Sequence, residues 1–181
     1  QLYVRLCASS PYLSGILKSY PGMIDELMDS LLMTDLPSFQ SLQETLAGLL
    51  KGADDPVPIV HAFKNAQHLR VGVRDLIGKD DIQKTHEALS EIAEVCLNQV
   101  TTVAFQKIAE RFGVPMAADR ECELAILALG KLGGKEPNYH SDLDIVFLYE
   151  SSGMTQPTRR GRESTTNQHF FAQLAQRIIK D

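Results

Sequence analysis

Up to about residue 113, apolar positions recur at spacings of three and four, the period of helices that bury one face. Pro11 follows the hydroxyls of Ser9 and Ser10, a helix start. Pro21 opens a second stripe through Ile24, Leu27, Met28, Leu31 and Leu32. A third helix is predicted over 37–50, closed by Gly52, and Asp54-Asp55-Pro56 restarts the chain. A fourth, over 57–77, carries Val60, Phe63, Leu69, Val73, Leu76 and Ile77, with Gly78 as its C-terminal cap. Asp80 or Asp81 caps a long fifth helix through Leu89, Ile92, Val95, Cys96, Val100, Val103 and Ile108, ended by Gly113-Val114-Pro115. Such short connections pack helices as antiparallel neighbours.

After Pro115 the period changes. The run 124–129 is short, apolar and stopped by Gly130, the mark of a buried strand, and the β-branched and aromatic run 145–149 is a second. A glycine-rich polar stretch from Gly130 to Ser141 joins them. A polar loop, 151–163, leads to a helix containing Phe170, Phe171, Leu174, Ile178 and Ile179. The fold class is therefore α+β: a mainly helical N-terminal region followed by a core with a small sheet.

Composition narrows the function classes. The 181 residues suffice for one ordinary domain, and 44% hydrophobic with 23% charged residues is globular rather than disordered. A net charge of −5 argues against a nucleic-acid coat, though not against a nucleotide site in which a metal mediates between carboxylates and phosphate. Cys7, Cys96 and Cys122 show no CxxC spacing and are expected to be small buried thiols of a reducing, cytoplasmic compartment. No secretory signal or membrane span is apparent, so neither a membrane nor nucleic acid is an expected partner. The chain opens without Met, in mid-pattern, and is expected to be a piece of a longer polypeptide.

Ser141-Asp142-Leu143-Asp144 at the mouth of the second strand is the strongest chemical signal. Strand alternation would point Asp142 and Asp144 the same way, with Leu143 and Ile145 toward the core. Neighbouring carboxylates repel, and a hard divalent cation such as Mg²⁺ relieves the repulsion. Two solvated aspartates at a strand end are the plainer account of an isolated DxD. Gly133-Gly134, in a turn between strand and helix, would let the backbone approach a polyphosphate, although a tight turn needing positive φ also calls for glycine. A P-loop fails because Leu129 stands where its first glycine belongs and Glu136 replaces Ser/Thr. A GxGxxG fingerprint fails at Lys131-Leu132-Gly133.

Gly133-Gly134 followed by Asp142-Leu143-Asp144 resembles the signature of DNA polymerase β-like nucleotidyltransferases. The whole string from Gly130 to Tyr149 is similar to one family within them, the bacterial glutamine synthetase adenylyltransferase/adenylyl-removing enzymes. Residues 4–11, 25–29 and 69–76 resemble that family's helical segments. The resemblance implies a helical linker or interaction region over 1–52 and a truncated nucleotidyltransferase domain over 53–181. Within the latter, helices would occupy 53–113 and the start of the catalytic core 116–181. It implies transfer of AMP from ATP to a tyrosine of glutamine synthetase, regulating nitrogen assimilation. Asp142 and Asp144 would be the catalytic Mg²⁺ ligands, with Gly133, Gly134 and Ser141 on the triphosphate. The helical opening is more like the adenylylating half of the family, whereas Asn138 before Tyr139 is more familiar from the de-adenylylating, phosphorolytic half.

The family's third carboxylate belongs to a later strand than this chain contains. The piece alone is therefore expected to bind nucleotide weakly without turnover. A different class stays open as well: a non-catalytic module docking glutamine synthetase or a PII-type signal protein. Lys131, Lys135, Arg159, Arg160 and Arg162 are nearby cations, more simply solvated. Ser141 either contacts phosphate or caps its turn. His140 is expected to be exposed, and His61, His68, His86 and His169 receive no role because their spacing is not that of metal ligands.

Overall fold

Short polar side chains start the helices where the pattern demands. A computed structural model describes residues 2–23, 35–157 and 163–181. Helix α1 spans Leu2–Ser9 and α2 Pro11–Ser19, where the Ser10 hydroxyl accepts from the Leu13 amide. Helix α3, Phe39–Leu50, begins two residues later than predicted because Ser38 caps it. Asp55 caps α4, Pro56–Leu76, and α5 runs Ile82–Phe112. Asp81 is the residue that starts α5, accepting from the Lys84 amide at 2.8 Å. Gly78, at φ +70, ends α4 with paired reverse bonds, Gly78 N–H to the Asp75 carbonyl and Lys79 N–H to that of Arg74. The predicted stripe from Ile24 to Leu32 lies outside the described residues.

The chain divides into two units, Gln1–Cys96 with Gly134–Asp142, and Leu97–Gly133 with Leu143–Asp181. The core of the first gathers Leu6, Leu13, Ile16 and Leu17 against Leu69 and Val73. Gly72 gives the Leu13 side chain room, since a β-carbon there would overlap its methyl groups. Two residues on, Arg74 is buried and meets the equally inaccessible Asp80 through two bonds, Nε to Oδ2 and Nη2 to Oδ1, the latter 2.8 Å. Their mutual hydrogen bonding raises the Arg74 pKa and lowers that of Asp80. Asp80 thus holds the end of α4 rather than the start of α5.

In the second unit β1, Val114–Ala117, pairs antiparallel with both β2, Arg120–Glu121, and β5, Thr155–Gln156. These very short strands carry no readable period. Strand β3, Leu124–Ala128, pairs antiparallel with β4, Ile145–Tyr149, in the register Ala128↔Ile145 to Leu124↔Tyr149. Helix α6 is the single turn Gly130–Gly133, and α7 is Asn167–Lys180. Leu124, Ile126 and Phe147 pack on a core of Ala104, Phe112, Phe170, Phe171, Leu174 and Ile178. Tyr149 stacks on Phe171 at 5.0 Å. The opposite face, with Leu127, Val146 and Leu148, is exposed, so β3 is a one-sided strand and not the fully buried one predicted. Ile179, predicted within the apolar set of α7, points to solvent.

The fold is α+β, as read from the sequence. Cys122 is buried and Cys96 half-buried, but Cys7 is exposed, against the expectation of three buried thiols, because it lies off the buried side of α1 that carries Leu6. Among the described residues no helix is long and apolar enough to cross a membrane. Asp80→Ala would leave a guanidinium inside the first unit without its bidentate carboxylate. It is expected to lower unfolding stability by about 3 kcal/mol, measured by urea denaturation.

Candidate functional site

The DxD lies where β4 begins, and its two acids are held differently. Beyond the last paired residues, the Leu129 amide donates to the Asp144 carbonyl at 2.7 Å, one further rung of the ladder. That rung fixes Asp144 opposite the turn out of β3. The turn is made by Gly130, at φ +51, and the Asp144 carboxylate sits against its α-carbon so closely that a β-carbon would overlap Oδ2. Gly130 therefore serves the site twice, by its left-handed backbone and by its missing side chain.

Gly133 does a related job. It ends α6, donating to the Leu129 carbonyl at 2.9 Å, and a β-carbon on it would lie 2.5 Å from the Ala128 carbonyl oxygen. Neither Gly133 nor Gly134 has positive φ; those values fall on Gly130 and on Lys135, at +54°. The glycine pair thus follows the helical turn instead of separating strand from helix. Gly133 is required by its close packing on the Ala128 backbone.

Leu143 corrects the strand argument. It is 42% exposed, because residues 141–144 precede the regular strand, and of the two acids Asp144 is the one tied to the ladder, through its carbonyl. Gly133 and Asp144 belong to the second unit, and Gly134, Ser141 and Asp142 to the first. Both acids are exposed.

In the first unit the loop ahead of Asp142 is shaped by Asn138. Its side-chain oxygen accepts from the His140 amide at 3.0 Å and from the Ser141 hydroxyl at 3.1 Å. The Asn138 amide in turn donates to the Ser141 oxygen at 2.9 Å. Ser141 therefore caps its turn, its one hydroxyl proton already engaged. A phosphate oxygen needs a donor, so contact from this serine requires that bond to be exchanged.

Next to the turn, Tyr139 donates to Asp75 Oδ2 at 3.2 Å across 64 residues of sequence. Burial, and then the Asp75 charge, raise the pKa of that phenol. The Tyr12 ring lies 6.1 Å from Tyr139 and 4.7 Å, edge-on, from His140, while its hydroxyl is 2.8 Å from His68 Nδ1. Burial, helped by Lys64, pushes His68 down to about 4 and keeps it neutral near pH 7. Sequence reading gave His68 no role and used Asn138 only to compare family halves. Asparagine two residues before the amide it caps was a usable signal for the turn. The contacts to Asp75 and Tyr12 left none.

The donors suit a hard cation. Mg²⁺ takes an octahedral shell of oxygen donors, and exposed carboxylates such as those of Asp142 and Asp144 are donors of that class. Among the described residues no group of three or more His, Cys, Asp or Glu is placed to hold a metal alone. Of the nearby cations, Lys131 is exposed and the Lys135 charge acts on Glu91. Arg159, Arg160 and Arg162 lie outside the described residues.

A sequence profile for glutamate-ammonia ligase adenylyltransferase matches residues 1–181. The chain belongs to the glutamate-ammonia ligase adenylyltransferase family. It is 33% identical over 97% of its length to a bifunctional glutamine synthetase adenylyltransferase/adenylyl-removing enzyme of Mannheimia haemolytica, 19% of which it covers. For the like-named protein of Shewanella oneidensis the figures are 34%, 99% and 20%. For that of Thioalkalivibrio sulfidiphilus they are 35%, 97% and 19%. The chain thus spans about a fifth of the length of these curated relatives.

Two outcomes follow for this adenylyltransferase-family chain. Gly130→Ala forces both a left-handed alanine and displacement of Asp144, and should cost about 1–2 kcal/mol in thermal unfolding, with the Asp144 backbone resonances shifted. The folded pKa of His68 lies below its unfolded value near 6.5, so between those values the unfolded chain binds the extra proton. Stability present above pH 6.5 is therefore lost as pH falls toward 4. The loss should be roughly 2 kcal/mol, discounted for partial exposure, and the slope should shrink in His68→Asn when unfolding is followed against pH.

Proposed function

We propose that this chain contributes the nucleotide-handling core of an adenylyltransferase that moves AMP from ATP to a tyrosine of glutamine synthetase. Asp142 and Asp144 would hold Mg²⁺, with Gly133, Gly134 and Ser141 on the triphosphate. The observation that carries the reading is the pair of exposed acids at the start of β4, one fixed against Gly130, within a family match over residues 1–181. Bound Mg²⁺ supplies charge neutralisation of the polyphosphate as pyrophosphate leaves. The chain's own part would be to hold Asp144 against Gly130 and to offer the exposed backbone of Gly133 and Gly134 to the phosphates.

The reverse activity of the same family, phosphorolytic removal of AMP, is the second reading. It is favoured by the Asn138-Tyr139 pair and by the bifunctional names of the relatives. The domain reading, with a helical interaction region over 1–52 and a nucleotidyltransferase domain over 53–181, belongs to the proposal. So does a cytoplasmic setting. A PII-type signal protein is the further partner this reading admits.

Calorimetry with a non-hydrolysable ATP analogue, with and without Mg²⁺, tests the core claim. Asp142→Asn/Asp144→Asn should weaken the Mg²⁺-dependent affinity at least about tenfold while leaving the unfolding temperature nearly unchanged. Undiminished affinity would favour a docking module. In a full-length family protein carrying this segment, the same pair of changes should abolish AMP incorporation into glutamine synthetase and spare its removal. The opposite result assigns the segment to the de-adenylylating activity.

A further inference from the structure

The loop that carries Ser141 and Asp142 has little regular structure of its own. The hydrogen bonds of its turn run among Asn138, His140 and Ser141, which shapes it without attaching it to the helices. Besides the His140 ring, edge-on to Tyr12 at 4.7 Å, two residues supply the attachment. Pro137 is buried, and Tyr139 is half-buried with its hydroxyl on Asp75 of α4. The Tyr139 ring lies 6.1 Å from Tyr12 of α2 and 6.2 Å, edge-on, from His68 of α4. Asp75 is itself placed by its neighbours, since Arg74 is locked to Asp80 and Gly72 receives Leu13. A path of fixed contacts therefore runs from the α2–α4 packing to a point three residues before Asp142.

We propose that Tyr139 is a positioning residue, tying the Asp142 loop to helices α2 and α4 and so setting how Asp142 meets a metal-bound nucleoside triphosphate. The proposal rests on the nucleotidyltransferase reading for its ligand, and on contacts within the first unit for its geometry. Asp75 serves only as an acceptor, so an amide oxygen in its place should suffice.

Two measurements test it. Amide hydrogen exchange over residues 138–144 should quicken several-fold in Tyr139→Phe and more in Tyr139→Ala, while α2 and α4 keep their protection and Asp75→Asn stays close to wild type. Calorimetry with Mg²⁺ and the ATP analogue should show an affinity loss of about fivefold for Tyr139→Phe, the worth of one hydrogen bond, with Asp75→Asn largely spared. Unchanged exchange in Tyr139→Phe overturns the proposal whatever the nucleotide does. Faster exchange spread through α2 and α4 also overturns it, making Tyr139 a general stabiliser. If Asp142→Asn abolishes nucleotide binding but Tyr139→Phe leaves it intact, the loop is not limiting and the proposal fails. If Asp142→Asn has no effect, the nucleotidyltransferase reading fails instead, and exchange alone decides whether Tyr139 holds the loop.

Discussion

The buried pairing of Arg74 with Asp80 is the constraint from which the first unit takes its order. Neither group tolerates the interior alone, so a guanidinium and a carboxylate with almost no access to water must be found together and in register. Their bidentate contact ties the last turn of α4 to the segment after Gly78. Beside it, Asp75 accepts from Tyr139, and Gly72 gives room to Leu13. The stretch 69–76, which looked family-like as a string of letters, is thus a set of mechanical fittings.

The second unit solves a different problem. A two-stranded ribbon packed on one face is a weak element, and Asp144 stands just before its strand β4. Asp144 escapes that weakness because the ladder runs one bond past the strand, to Leu129. Asp142 has no ladder and depends on its loop. Two carboxylates in one motif are therefore held by unlike means, one by sheet hydrogen bonding and the other by a capped turn.

Much of this was legible in the chain. The run 145–149 is a strand residue for residue, 57–77 is a helix within one position at each end, and Gly78 ends it by the expected device. These succeeded because period, caps and glycine are local signals. Leu143 failed because alternation was extended past the end of the ladder. Strands β1, β2 and β5 escaped notice because two to four residues hold no period. At the candidate site the acids and glycines were visible, but the division of labour was not. Gly130 earned attention only as a strand stop, and Tyr139 finds Asp75 across a separation that no spacing rule spans.

The contact between Gly130 and Asp144 bears on how this segment can drift. Every replacement of glycine by another residue introduces a β-carbon, and here that atom meets a carboxylate oxygen. A replacement would have to displace the Asp144 carboxylate and also put a β-carbon on a left-handed backbone, so losing the acid would lift only one of the two constraints on this glycine.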